Sequence, residues 1–282
     1  MKKLMIALLL TLCFSTGNSF TRGDADMDGL VTVSDVAALI NYLLNGAWPE
    51  GNAEVFTVNG VSFAMIQVDG GTFMMGATSE QGSEAQSNEY PVHRVSVSSF
   101  SIGQTEVTQE LWIAVMNTNP SYFSGTLQLP VEQVTYADCQ EFITRLNAMT
   151  GRQFRLPTEA EWEFAARGGN LSHGYMYSGN SNPVIVAWIG ANSGNKTHDV
   201  ATREPNELGI YDMSGNVWEW CNDWYSDYTS ENQTNPTGPS TGDRRLIRGG
   251  GYAGAPYYCR VSYRSNPVPG EHYRNLGFRI AL

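Results

Sequence analysis

Apolar and polar positions alternate in short runs over much of this chain, and glycine-, asparagine- and serine-rich turns separate the runs. Val61–Val68 and Gly71–Gly76 read as the two strands of a hairpin about Asp69, Gly70 and Gly71, because alternation interrupted by glycine marks a reversal. His93–Ile102 reads as a further strand. The period then lengthens. Glu106–Asn117 and Tyr136–Met149 repeat their apolar positions at helical spacing, with Thr105 and Thr108 competing to cap the first and Leu111, Trp112 and Val115 on its inward side. A third helix opens at Pro157 and Thr158, where Glu161 stands at capping-box distance; Trp162, Ala165 and Ala166 form its buried side, and Gly168 and Gly169 end it. Glu159 and Glu161 look like an acid–base pair, but a helix start explains them, since carboxylates there meet the positive end of the helix dipole. Residues 168–206 and 226–243 carry no periodicity and are expected as loops.

The first residues follow another logic. Lys2 and Lys3, an apolar run over Met5–Phe14 and small residues from Ser15 to Ser19 make residues 1–19 a secretory signal peptide, cleaved near residues 17–19. The run is too short for a membrane span with anchoring flanks, and no later stretch is apolar enough, so an exported, extracellular or periplasmic protein is expected. Cleavage removes two lysines and no acids, taking the formal net charge from −11 to −13. An acidic chain with no basic run excludes nucleic acid and anionic membrane as natural partners. Cys139, Cys221 and Cys259 survive cleavage, and an odd count leaves at least one thiol unpaired in a monomer.

Residues 24–35 (DADMDGLVTVSD) carry oxygen ligands at calcium-loop spacing. Asp24, Asp26 and Asp28 take positions 1, 3 and 5, Gly29 the sharp turn, Leu30 the backbone-carbonyl position and Asp35 position 12. Three carboxylates so close repel one another without an ion, so calcium is the expected cofactor. Val36, Leu39, Ile40, Leu43 and Leu44 follow at helical spacing up to Asn45 and Gly46. This EF-hand-like loop and helix resembles one half of a dockerin module, over residues 20–46, which implies a cohesin-like scaffold protein as partner. A second half is not found, so the lone apolar stripe must pack on the main domain or on that partner. Residues 47–61 read as a linker and 62–282 as the main domain.

Four segments of that domain carry a more specific likeness. Arg155–Gly169 reads RLPTEAEWEFAARGG, Gly209–Tyr225 reads GIYDMSGNVWEWCNDWY, Arg248–Tyr252 reads RGGGY and Asn275–Leu282 reads NLGFRIAL. In that order they resemble the formylglycine-generating enzyme (sulfatase-modifying factor) family. The resemblance implies an α+β fold related to C-type lectins, with little regular secondary structure. It also implies a structural calcium held by the side chains of Asp212 and Glu219 and the backbone carbonyls of Gly215 and Val217; positions 215, 217 and 219 alternate, so an extended chain turns their oxygens one way. Cys221 and Cys259 lie in family-like segments and could pair. Trp218, Trp220, Trp224 and Tyr225 are expected in the core, and Arg264 and Arg279 as buried ion-pair partners.

Active members of the family hold copper between two cysteines five positions apart and oxidise a sulfatase cysteine to formylglycine. Cu(I) prefers paired soft thiolates. Here the first position is Gly254 and the second Cys259, itself an uncertain match because Cys259 to Arg264 is three residues shorter than in active members. His93, His173, His198 and His272 are scattered and replace nothing. Three readings follow. The first is a calcium-stabilised binding protein that uses Tyr257 and Tyr258, within the loop Tyr252–Tyr258, against a glycan or protein ligand. The second is an oxidase whose lone Cys259 is catalytic, with copper as cofactor. The third is a scaffold component attached through its dockerin-like segment.

Overall fold

The computed structural model of this protein describes residues 53–282. The expected signal peptide, the calcium loop with Asp24, Asp26, Asp28, Leu30 and Asp35, and its following helix lie outside the described residues. Among the described residues no helix is long and apolar enough to cross a membrane.

Three small sheets and three principal helices make a mixed α and β architecture. β1 (Ala53–Val58), β2 (Val61–Val68) and β5 (Phe100–Gly103) form the first sheet. β3 (Gly71–Met75), β4 (His93–Val97) and the two-residue β7 (Gln233–Thr234) form the second. β6 (Trp218–Trp224) lies between β8 (Arg245–Arg248) and the two-residue β9 (Leu276–Gly277) in the third.

Two expectations change here. Residues 53–58, read as linker, supply β1, whose Phe56 stacks on Phe63 and meets the edge of Phe154, with ring centroids 5.6 and 5.1 Å away. The hairpin expected about Asp69–Gly71 does not reverse. β2 pairs with β5 and β3 with β4, so Val61–Met75 and His93–Gly103 are two long antiparallel strands that bend together and pass from one sheet into the next. The bend needs Gly70, because a Cβ there would lie 2.7 Å from both the Ser99 nitrogen and the Val97 oxygen. Ser99 Oγ accepts the Gly70 N–H at the same point.

The helices follow their caps. α1 (Gln109–Met116) starts at Thr108, whose hydroxyl accepts the Leu111 N–H, so Thr105 is not the cap. α2 (Tyr136–Thr150) has a capping box of Thr135 and Asp138 and ends on Gly151 at φ 69°. α3 (Glu159–Ala166) has the expected box of Thr158 and Glu161. One core packs α1 and α2 on the first and third sheets, where Trp112 stacks on Phe142 at 5.3 Å and Trp220 and Phe278 are sealed. A second core packs α3 between the second and third sheets around Trp162, Phe164, Val95 and Leu246.

Ion pairs run through this interior. Arg264 is held by both oxygens of Glu159 at 2.7 Å, Arg248 pairs with Glu163 and lies 3.5 Å from Glu159, and Arg260 pairs with Glu89. Arg264 and Arg279 are thus buried ion-pair partners, as expected. Glu159 is more than a helix-start charge, for it is the anchor of the C-terminal loop.

Candidate functional site

The loop from Gly249 to Arg264 is pinned from beneath. The Tyr252 N–H reaches the Asn216 oxygen at 2.7 Å, the Gly190 N–H the Gly254 oxygen at 2.9 Å, and the Ser214 hydroxyl the Cys259 oxygen at 2.8 Å. Cys259, Arg260, Ser262 and Arg264 turn inward and are buried. With those four committed to the interior, Tyr257, Tyr258 and Tyr263 are left half-exposed as one cluster. Tyr257 and Tyr258 lie 4.0 Å apart, and Tyr258 and Tyr263 5.1 Å. Trp218 of β6 joins them at 6.2 Å from Tyr258 and 5.9 Å from Tyr263. The Tyr258 hydroxyl beside it pushes the Tyr257 hydroxyl up to about 12.

Trp218 was expected in the core and is instead half-buried on this face; only Trp220 of its group is fully sealed. Trp224 lies under the Arg245 guanidinium at 3.5 Å. Tyr252 is buried, with Phe123 edge-on at 5.1 Å, so it supports the face rather than presenting to solvent. Beyond Phe123, Tyr122 is half exposed and carries Arg274 at 3.7 Å, extending the aromatic surface. Tyr122, Phe123 and Tyr263 escape sequence reasoning because they lie in segments that only the fold brings together.

The expected calcium residues lie under the same loop. Asp212, at φ 59°, accepts the Ala201 N–H on Oδ2 at 2.7 Å, and its Oδ1 is buried with no partner. Glu219 is clamped: Arg279 Nε and Nη2 each donate at 2.6 Å, and Trp162 Nε1 donates at 2.7 Å. Glu106, expected from the sequence only as the start of a helix that begins instead at Gln109, is near both. It accepts from Asn216 Nδ2 at 2.7 Å and from the Val217 N–H at 3.0 Å. Burial, then repulsion from Asp212 and Glu219, pushes the Glu106 carboxyl well up, and burial pushes Asp212 up to about 6.

The extended geometry expected over positions 215–219 begins only at Trp218. Gly215 and Asn216 take φ 86° and 55°, because a Cβ on Gly215 would strike the Trp188 oxygen at 2.4 Å. Three buried carboxylates against the Arg279 guanidinium, with Arg203 acting on Asp212 alone, leave an excess of negative charge, and the orphaned oxygen of Asp212 is a hard donor. Both features fit a divalent cation of the calcium type. Among the described residues, no group of three or more His, Cys, Asp or Glu side chains converges as a preformed cage.

The copper expectation fares differently. Cys139, Cys221 and Cys259 are free thiols, buried in three separate clusters, and the pairing of Cys221 with Cys259 does not form. Burial pushes the Cys259 thiol up to about 12, with the Gly251 and Gly215 N–H groups only partly offsetting it. Its sulfur packs under Gly250, where a Cβ would approach it to 2.4 Å. At Gly254 a Cβ would point against the Tyr258 ring at 3.3 Å. No soft pair is assembled, so these residues do not fit copper.

The family profile of the sulfatase-modifying factor enzyme 1-like domain matches residues 53–282, every residue described above. The chain belongs to the sulfatase-modifying factor family. Among relatives of the family, the chaperone protein LppX of Paenibacillus barcinonensis is 32% identical, over 72% of this chain and 83% of its own. The formylglycine-generating enzyme of Streptomyces coelicolor is 31% identical, over 77% and 88%. Of solved structures, Treponema denticola variable protein 1 superposes with a TM-score of 0.74 at 35% identity, covering 82% of this chain and 99% of that one. PvdO of Pseudomonas aeruginosa gives 0.66 at 25% identity, covering 82% and 98%.

Proposed function

We propose that this member of the sulfatase-modifying factor family is a binding protein whose ligand, a glycan or a protein surface, docks on the face made by Tyr257, Tyr258, Tyr263 and Trp218. The observation that carries this reading is the division of the C-terminal loop. Its one cysteine, its arginines and Tyr252 are spent inward on structure, and Tyr257, Tyr258 and Tyr263 are left half-exposed on a pinned backbone. Tyrosines presented this way give large amphipathic contact area at small entropic cost. We further propose that calcium balances the charge at Asp212, Glu106 and Glu219. Asp212 and the carbonyls of Gly215 and Val217 would hold it, Glu219 adding its charge while clamped by Arg279, and its role is to fix the bend beneath the loop. Export by residues 1–19, a second calcium at Asp24–Asp35 and capture by a cohesin-like scaffold complete the proposal.

The kinship to formylglycine-generating enzymes favours a second reading, oxidation of a sulfatase cysteine with copper on Cys259. The two readings separate cleanly. Capture of a glycan or protein from surface extracts that is lost in Tyr257→Ala/Tyr258→Ala supports the binding role. Tight uptake of one Cu(I), abolished in Cys259→Ser, together with conversion of a Cys-x-Pro-x-Arg peptide to its aldehyde, would overturn it.

A further inference from the structure

A second cleft lies apart from the aromatic face and shares none of its tyrosines. It encloses about 450 Å³ between the end of β6, β4 and the loop 226–239, with Asp223, His93, Tyr228 and Asp227 among its walls. Volumes of this size suit a small organic group.

The cleft is unusual in its hydrogen-bonding polarity. Asp223 is only 4% exposed. One carboxylate oxygen, Oδ2, accepts the Glu159 N–H at 3.0 Å; the other takes no hydrogen bond and borders the cleft, where Gly238 leaves it room. His93 is buried against Tyr228, with ring centroids 4.7 Å apart, and its Nδ1 donates to the Pro91 oxygen at 3.0 Å. In the neutral ring the remaining nitrogen, Nε2, is therefore an acceptor. Asp227 adds a further carboxylate.

The charged donors nearby are already committed, while the hydroxyls of Ser226, Thr229, Thr234 and Thr237 also line the cleft. The Tyr228 hydroxyl goes to Glu159. Arg264 is consumed by Glu159 and by the Asn88 and Ser226 oxygens. Arg245 donates to the Asn222 oxygen and lies flat on Trp224. Asp223 forms no ion pair among the described residues. Burial, with repulsion from Glu159 and Glu161 that the Glu159 N–H and Arg264 only partly offset, pushes it up to about 7.

We propose that this cleft binds an alkylammonium group, carried by a small amine or by a lysine side chain, with the free oxygen of Asp223 as its charged partner and His93 Nε2 as a second acceptor. A primary ammonium brings three donors and the missing charge, making charge-assisted bonds in a partly desolvated site.

The test follows the resonances of the cleft by NMR in the full chain. It titrates 1,5-diaminopentane and Nα-acetyl-lysine amide, with the norleucine analogue, which lacks the ammonium, as control. Saturable shifts with at least one of the two amines, none with norleucine, and at least a tenfold loss of affinity in Asp223→Asn are expected. Binding of the lysine amide but not the free diamine, or the reverse, identifies the source of the ammonium. Asparagine still accepts the Glu159 N–H, so the fold should persist; should it not, the contrast between lysine and norleucine decides alone. Absence of saturation by either amine at millimolar concentration, or equal shifts with norleucine, overturns the proposal.

Discussion

Trp218 and Glu219 are neighbours in β6 and do opposite work. Trp218 reaches Tyr258 and Tyr263 on a half-exposed face, whereas Glu219 is sealed between Arg279 and Trp162. Strand alternation sends one to the surface and the other inward. On the face, side chains are interchangeable as far as folding goes, because the backbone beneath is held by Asn216, Ser214, Glu89 and Glu159. In the centre, Glu219 and Arg279 are each other's partner, and removing either leaves a buried ion alone.

The contrast breaks first at the centre. Arg279→Ala should destabilise the protein by about 3–5 kcal/mol, because Glu219 is left charged and unpartnered. Denaturant unfolding measures it, and a loss as small as a surface substitution would show that the pair is not structural. Calcium removal comes next. A chelator should lower the melting temperature, and Asp212→Asn should shrink the difference to what the proposed loop at Asp24–Asp35 contributes; a melting curve indifferent to calcium in the wild type removes the ion from Asp212.

The pH response has a defined sign. Burial pushes Glu132 up to about 7, with one of its oxygens left without a partner, and Asp223 stands at about 7 as well. Folded carboxyls that hold protons more tightly than the unfolded chain gain stability as pH falls through the folded value. Between about pH 8 and pH 6 the melting temperature should therefore rise by a few degrees. Near pH 4 and below, Glu89 and Glu159, held low through Arg260 and through Arg264 and Arg248 against the opposing effect of burial, lose that contribution and the trend reverses. A monotonic fall from pH 8 would contradict these assignments. The face should show the smallest effect on folding: Tyr258→Ala should leave unfolding within about 0.5–1 kcal/mol of wild type while costing at least tenfold in ligand affinity. Equal losses in both would mean that the tyrosines serve the core.

Much was readable without coordinates. Thr158 and Glu161 announce their helix because a capping box is a contact across three residues. The arginines of CRVSYR and GFR announce ion pairs because a guanidinium in an apolar segment must find a carboxylate. The kinship, too, was legible in four short segments. The rest depends on residues distant in sequence. Asp69–Gly71 has the composition of a hairpin turn, yet it bends without reversing, since β4 and β5 approach from thirty residues away. Glu106 carries no local mark, and only folding brings it to Asn216, 110 residues later.

The amino-acid sequence by itself determined the capping box of Thr158 and Glu161, the two arginines that need buried partners, the family and the shortage of thiols at position 254, because each is written in residue type over a few neighbouring positions. Tertiary structure alone decided that Cys259 faces the interior, that Trp218 joins Tyr258 at the surface, and that Asp223 borders a cleft without a cation. The direction of a side chain and the company it keeps are set by packing between segments, which local pattern does not encode.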